Sequence, residues 1–354
     1  MSRSLSDILS YNGLDSAVSG TAKEWLDALQ SKYPDAIGGL SSIRLVAAIT
    51  PEDLKSQSDL EIPPSTGWIR GSFIVHESNG DLLLAGSGGI GVLYAVTELE
   101  NVLMTGRGMA GIQLLREPQF GNRIIGRDEL YLNPGMAWQR PSFLEAAIKH
   151  GFDMVELPWY SFRPDHIEAT LPHLQQLERF DLDACIEGEL FQHLPDVPEE
   201  ARGVSRLSSG HFSHPACLSH AWTRDYFTRF LKEISKQPRI KKMLWYFFDV
   251  AHLCTSECPR CGDKTAVDRI IEFTAWCQEV VDQWRSDLRI YLRTWHLMPE
   301  ERKYINANLP DRIGVDTKMS NAGDEIYIPI PRFSDCYGPH EEVLVRRYKK
   351  RVLS

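Results

Sequence analysis

Apolar positions recur with two different rhythms along this chain, and the change of rhythm divides it. Residues 21–33 (TAKEWLDALQSKY) put Trp25, Leu26 and Leu29 on one helical face. The run 43–49 (IRLVAAI) is apolar apart from Arg44 and has the length of a buried strand. Residues 51–66, with Pro51, Pro63 and Pro64, read as a loop. The segments 69–77 and 81–85 flank Ser78-Asn79-Gly80, and Asn-Gly between two apolar runs predicts a hairpin. Beyond it, Val92, Ala95, Val96, Leu99, Val102 and Leu103 return to helical spacing. The first third is therefore expected to be a small α+β layer of helix, strand, hairpin and helix.

Residues 105–128 are rich in glycine and arginine and read as an exposed connection. From about Leu130 apolar runs alternate with amphipathic stretches. Strands are expected at 131–133, 154–157, 184–187, 243–250, 289–294 and 313–318. Helices are expected at 141–150, 166–179, 223–236 and 266–286. Such alternation predicts βαβ units and a parallel sheet. The fold class is α/β: an accessory α+β domain over 1–128, then a (β/α)8-type, TIM-like barrel over 129–354. An eight-stranded barrel takes about 250 residues. Fewer remain here, so a short or incomplete barrel is expected.

With 354 residues and a net charge of −9, the chain can bury a large core but is poorly suited to nucleic acid, which demands a basic surface. The basic run Arg346-Arg347-Tyr348-Lys349-Lys350-Arg351 is read as a solvated end. No stretch has the length of a membrane span, and the first twenty residues lack the apolar core of a secretory signal. Seven unevenly spaced cysteines do not form a disulfide framework, so a reducing, cytoplasmic setting is expected.

One motif argues for different chemistry. Gly86-Ser-Gly88-Gly-Ile-Gly91 fits the dinucleotide fingerprint G-x-G-x-x-G, between an apolar run and a helix. A pyrophosphate cradle also needs a returning parallel strand with an acid about 20 residues on. Here the preceding strand is the second arm of a hairpin, and Thr105-Gly106-Arg107-Gly108 follows the helix instead of a strand. The glycines are therefore read as a packing turn, and an oxidoreductase is the least favoured function.

The same phrase carries a resemblance. Gly91-Val92-Leu93-Tyr94-Ala95-Val96 is similar to the Gly-φ-φ-Tyr-Gly-φ-φ helix (φ apolar) that ends the accessory domain of β-hexosaminidases and α-glucuronidases, with Ala95 for the second glycine. The likeness spans roughly residues 20–104. Further on, Arg289-Ile-Tyr-Leu-Arg-Thr-Trp-His296 followed by 313–325 resembles consecutive barrel strands of α-glucuronidases. That likeness implies that Lys318 and Asp324 hold the family's lysine and water-activating aspartate. The chain departs from the pattern at the partner glutamate, where it reads Glu341-Glu342-Val-Leu-Val-Arg-Arg-Tyr348. Ala322-Gly-Asp324-Glu325 also resembles the adjacent Asp-Glu pair of β-hexosaminidases, in which the Asp orients the acetamido group and the Glu is the acid.

Glycosidic cleavage needs one carboxyl group to protonate the leaving oxygen and a second group to activate water or attack carbon. Acids at expected strand ends are the candidates: Asp324, Glu325, Glu187 and Asp249 as catalytic groups, Glu156 as a substrate-binding group, and Glu189 beside Glu187. Arg293 and Lys318 suit a sugar carboxylate, because a guanidinium fork matches a planar anion. Trp245, Tyr246, Trp295 and His296 are candidates for the sugar subsite. A glycoside hydrolase of α-glucuronidase type is the first expectation. A hexosaminidase-like hydrolase and a non-catalytic carbohydrate-binding relative are the alternatives.

Finally, Cys258-Pro-Arg-Cys261-Gly262 is one half of a zinc knuckle, with His252 or Cys254 on hand for a third ligand. A second C-x-x-C is missing. The favoured reading is a metal-free cysteine loop, and no cofactor is expected to be required.

Overall fold

A computed structural model describes residues 4–48, 50–57, 67–118, 123–125, 141–158, 167–189, 194, 196–203, 216–246, 258–262, 264–293 and 299–316. The elements fall into two sheets. The first contains β1 (Leu9–Asn12), β2 (Ser42–Ala47), β3 (Phe73–Ser78), β4 (Asp81–Gly86) and β5 (Gln113–Arg116), in the order β1-β2-β4-β3-β5. Its helices are α1 (Leu5–Ile8), α2 (Ser16–Lys32), α3 (Pro34–Gly38), α4 (Pro51–Gln57) and α5 (Gly88–Met104).

The hairpin forms as expected, with Asn79 and Gly80 both at positive φ (55° and 86°) in its two-residue turn. Its second arm, β4, explains the unbroken Leu-Leu-Leu-Ala run. Leu82 and Leu84 pack toward α2 and α5, while Leu83 and Ala85 join a second cluster with Leu54 of α4 and Trp68. A strand covered on both faces has no polar side to show. Residues 51–57, expected as loop, form α4. Its start is held by a reciprocal cap, with Thr50 and Asp53 each accepting from the other's backbone N–H.

The second sheet has six parallel strands in chain order: β6 (Ile124–Ile125), β7 (Met154–Pro158), β8 (Asp183–Glu189), β9 (Ile240–Tyr246), β10 (Arg289–Arg293) and β11 (Gly314–Asp316). Between them run α6 (Pro141–Lys149), α7 (Ile167–Arg179), α8 (Ala221–Ser235), α9 (Ala266–Asp282) and α10 (Pro299–Asn308). Sequential order with a helix after each strand is barrel topology, not the reversing order of a dinucleotide-binding sheet. The sheet curls as part of a TIM-like barrel. Five of the expected strands and all four expected helices are present. The sixth expected strand, 131–133, lies outside the described residues.

The alternation along each strand separates two faces. Val155, Leu157, Ala184, Ile186, Met243, Trp245, Ile290 and Leu292 meet the helices in the main core, and Ile124, Met154, Cys185, Leu244 and Tyr291 cluster on the inner face. The main core is continuous with that of the first sheet, because α2 packs on α7 and α5 on α6. The stretch 105–128, expected as an exposed connection, instead supplies an edge strand to each sheet, β5 and β6. Both are short, at four and two residues, which is why they leave little periodicity to read. Among the described residues no helix is long and apolar enough to cross a membrane.

Candidate active site

Strand register sorts the inner face of the second sheet into rows. Above Ile124, Met154 and Asp183, a row runs Glu156, Cys185, Lys242 and Arg289 across β7 to β10. The next runs Pro158, Glu187, Leu244, Tyr291 and Gly314. The row nearest the C-terminal strand ends runs Glu189, Tyr246, Arg293 and Asp316. Rows two residues apart are separated by about 6.6 Å along a strand. By residue type the first of these rows and the last, the rim row, each hold three charged positions and the middle row holds one, Glu187.

Below the rim the face is filled. Glu156 is 1% exposed and Glu187 7%. Lys242 donates to the Tyr291 hydroxyl at 3.0 Å and sits 4.5 Å from the centre of its ring. The Tyr291 ring has room because Gly314 lies opposite it; a Cβ there would come within 2.3 Å of the ring. Lys242 and Tyr291 are inner-face residues that the sequence reading passed over. Their signal was a lysine within the apolar strand Ile240–Tyr246, where an outward-facing lysine is the ordinary assumption.

The expected site residues separate accordingly. Glu156 and Glu187 share the inner face, on neighbouring strands one row apart. Arg293 closes β10 in the rim row. Trp245 is corrected: it faces the helices, 1% exposed, with its ring 5.9 Å from Phe227 and 6.0 Å from Phe273. The alternation that turns Leu244 inward turns Trp245 outward, so it is core and lines no sugar subsite. Asp249, Trp295, His296, Lys318, Asp324 and Glu325 lie outside the described residues, as do His252, Cys254, Glu341, Glu342 and the terminal basic run.

The glycine turn is a packing turn, though not for the reasons the sequence offered. β4 pairs antiparallel with β3 but parallel with β2, and a strand, β5, does follow α5. The hairpin revealed only one of β4's two neighbours. What decides the matter is Asp181, from the turn before β8. Its Oδ2 accepts the Ile90 N–H at 3.0 Å at the start of α5, the place a phosphate would take. Arg70 and Arg239 both donate to the same carboxylate. Arg70 also reaches Asp183, with Nε and Oδ2 3.5 Å apart. Burial works against the Asp181 charge, yet the two guanidinium groups and the Ile90 N–H hold its carboxyl below the ordinary value. The glycines are needed for close approach: a Cβ on Gly86 would lie 2.1 Å from the Gly91 carbonyl carbon, and one on Gly91 2.5 Å from the Ser72 oxygen.

A second ionic joint lies nearby. Arg123 pairs with Asp153 at 2.9 Å and donates to the Gly151 carbonyl at 2.7 Å, with the Tyr94 ring beneath it. Burial pushes Asp153 up, and Arg123 offsets this only in part. A cleft of about 560 Å³ opens beside it, lined in part by Phe73, Tyr94, Arg116, Lys149 and Phe152. It sits where α5 and β3 meet the turn leading into β7, at the N-terminal strand ends. Barrel chemistry belongs to the opposite end.

The cysteine turn also gathers a distant residue. Cys258 and Cys261 stand with Cys217, from the connection before α8, in a buried cluster of three thiols. Cys217 was not foreseen, because 41 residues separate it from Cys258.

Neither the protein-family models nor the curated protein sequences contain a match to this chain. Solved structures do. A GH20 exo-β-N-acetylglucosaminidase of Vibrio harveyi superposes with a TM-score of 0.59 at 11% identity, over 88% of this chain and 54% of that one. A chitobiase of Flavobacterium johnsoniae gives 0.57 at 12%, over 88% and 55%. CpGH84B gives 0.57 at 10%, over 89% and 53%. The chain shares the fold of GH20 and GH84 structures. It spans a little over half the length of each. Nothing among them is an α-glucuronidase, the type expected first.

Proposed function

We propose that this chain is a glycoside hydrolase of hexosaminidase type, with an accessory layer over 1–128 serving a barrel over 129–354. The substrate class is a β-linked N-acetylhexosaminide. The observation that carries the reading is the fold: a likeness to GH20 and GH84 structures across nearly nine-tenths of the chain. Asp324 orients the substrate's acetamido group and Glu325 protonates the leaving oxygen, as their likeness to the hexosaminidase pair implies. Glu187 and Asp249 are the carboxylates next in line, and Arg293, Lys318, Trp295 and His296 contact the sugar. Glu156 lies deeper on the inner face, below Glu187.

The test is release of nitrophenol from aryl N-acetyl-β-hexosaminides by the full chain. Glu325→Gln and Asp324→Asn are each expected to lower kcat/KM by about 10²- to 10⁴-fold, the range for loss of an acid–base group. Cleavage of glucuronoxylan oligosaccharides instead would return the α-glucuronidase reading. Sugar binding without turnover of either substrate would make the chain a carbohydrate-binding relative.

A further inference from the structure

The three thiols of Cys217, Cys258 and Cys261 are set at a spacing that ordinary packing does not require. Their sulfurs are 3.8 Å apart between Cys217 and Cys258 and 3.5 Å apart between Cys217 and Cys261. All three lie within 4.8 Å of one another. A disulfide would bring two sulfurs to about 2.05 Å. In a tetrahedral zinc site with Zn–S bonds of about 2.3 Å, neighbouring sulfurs stand about 3.8 Å apart. The observed spacing is that of ligands around a common centre.

The backbone around each thiol holds this arrangement. Cys258 and Cys261 face each other across a tight turn, with the Cys261 N–H donating to the Cys258 carbonyl at 3.1 Å. Gly262 follows at φ +60°, a left-handed conformation that favours glycine. Cys217 is fixed from both sides: its N–H donates to the Ala201 carbonyl, and its own carbonyl accepts from His220 at the start of α8. Arg260, inside the turn, donates to the Arg202 carbonyl at 2.7 Å and ties the two segments together again. The Ser219 hydroxyl stands 3.8 Å from the Cys261 sulfur, within reach of a thiolate ligand. All three cysteines are at most 4% exposed, so water does not solvate them.

We propose that Cys217, Cys258 and Cys261 are three thiolate ligands of a structural zinc ion. Soft thiolates at tetrahedral spacing select zinc over hard cations. The assignment rests on these three thiols; the fourth position of the tetrahedron belongs to a further side chain or to water. The ion joins the connection between β8 and α8 to the connection between β9 and α9. Both connections leave the C-terminal strand ends, so the metal braces the rim without taking part in the chemistry there. The proposal does not depend on the hydrolase reading, because its readout is metal content and not turnover.

The experiment is elemental analysis of the full chain purified from zinc-supplemented cells and desalted without chelator. One zinc per chain is expected, released as the three thiols are titrated with a mercurial. Cys217→Ser and Cys258→Ser are expected to lower zinc to background, while Cys277→Ser, in the α9 core, keeps it. Should the cluster variants fail to fold, cobalt(II) replacement in the wild-type chain is decisive. Sulfur-to-cobalt charge transfer with tetrahedral ligand-field bands is expected. Folded wild-type protein lacking metal and showing no such cobalt spectrum would overturn the proposal. So would zinc retained by folded Cys217→Ser, or iron in place of zinc.

Discussion

The glycine turn at 86–91 and the cysteine turn at 258–262 are built alike. Each is a short motif with a positive-φ glycine, Gly88 at +74° and Gly262 at +60°, and each has the local form of a ligand site. Each is completed by a residue far away in sequence: Asp181 is 91 positions from Ile90, and Cys217 is 41 positions from Cys258. They differ in what arrives. Asp181 comes with its counter-charges, Arg70 and Arg239, so the anion site at the start of α5 is filled and neutralised by the chain itself. Cys217 brings a third soft donor to two others, and three thiolates call for a cation. A motif fixes local backbone; its occupant is set by the segment that folds onto it.

The strongest way to break this comparison is to empty the glycine turn. Asp181→Ala leaves the Ile90 N–H without its acceptor and two guanidinium groups without their carboxylate. Removing one partner of a buried ion pair costs about 3–5 kcal/mol. Arg70 and Arg239 keep some contact with water, so a loss near about 3 kcal/mol is expected, measured by urea denaturation. A loss below about 1 kcal/mol would mean that the carboxylate is a surface pair and the turn is not filled.

Next in size, alanine substitutions at the glycines should separate the two turns. A Cβ at Gly86 or Gly91 meets backbone atoms at 2.1 and 2.5 Å, and backbone cannot swing aside as a side chain can. Each is expected to cost about 1–3 kcal/mol, at the upper end for Gly86→Ala. At Gly262 a Cβ meets nothing within 4 Å, so Gly262→Ala carries only the strain of a left-handed residue, about 1 kcal/mol. Equal losses at all three positions would erase the distinction between a packing glycine and a turn glycine.

How far the sequence could be read follows from where each signal is stored. Strands β7 to β11 and helices α6 to α9 are legible because each strand–helix pair writes its period into its own residues, as in 223–236 and 289–294, whereas the mostly polar α10 is not. The hairpin was legible because Asn79-Gly80 is a local conformational requirement. β1, β5 and β6 were not, since edge strands of two to four residues have too few positions to display a period. Trp245 was assigned to a sugar subsite because residue type was weighed without its face; counting alternation from Leu244 would have turned it toward the helices. Asp181 could not be found at all. An aspartate before a strand is commonplace, and only the approach of α5 gives this one its role. Glu187, expected at a strand end, lies one row below the end of β8, and Lys242 and Tyr291 show as inner-face residues only once the register is known.

The smallest effect is a matter of pH and tests whether Asp181 fills the turn as an anion. Its carboxyl lies below the ordinary value in the folded chain, so its ionised form contributes stability above the unfolded value. That contribution is lost as pH falls through the folded value. Asp153 and Asp183 act with the opposite sign. Burial raises both, so the folded chain keeps their protons at pH values where the unfolded chain has released them, and they weaken the fold as pH rises through that window. Asp181→Asn keeps an acceptor for the Ile90 N–H but removes its charge. The stability gap between wild type and Asp181→Asn should therefore be widest at neutral pH and narrow steadily as pH falls through the carboxylate range. Urea midpoints of the two proteins across that range measure the gap directly. A gap that stays constant with pH would mean that the carboxyl is already neutral in the joint, and the glycine turn would then hold a hydrogen-bonding group in place of an anion.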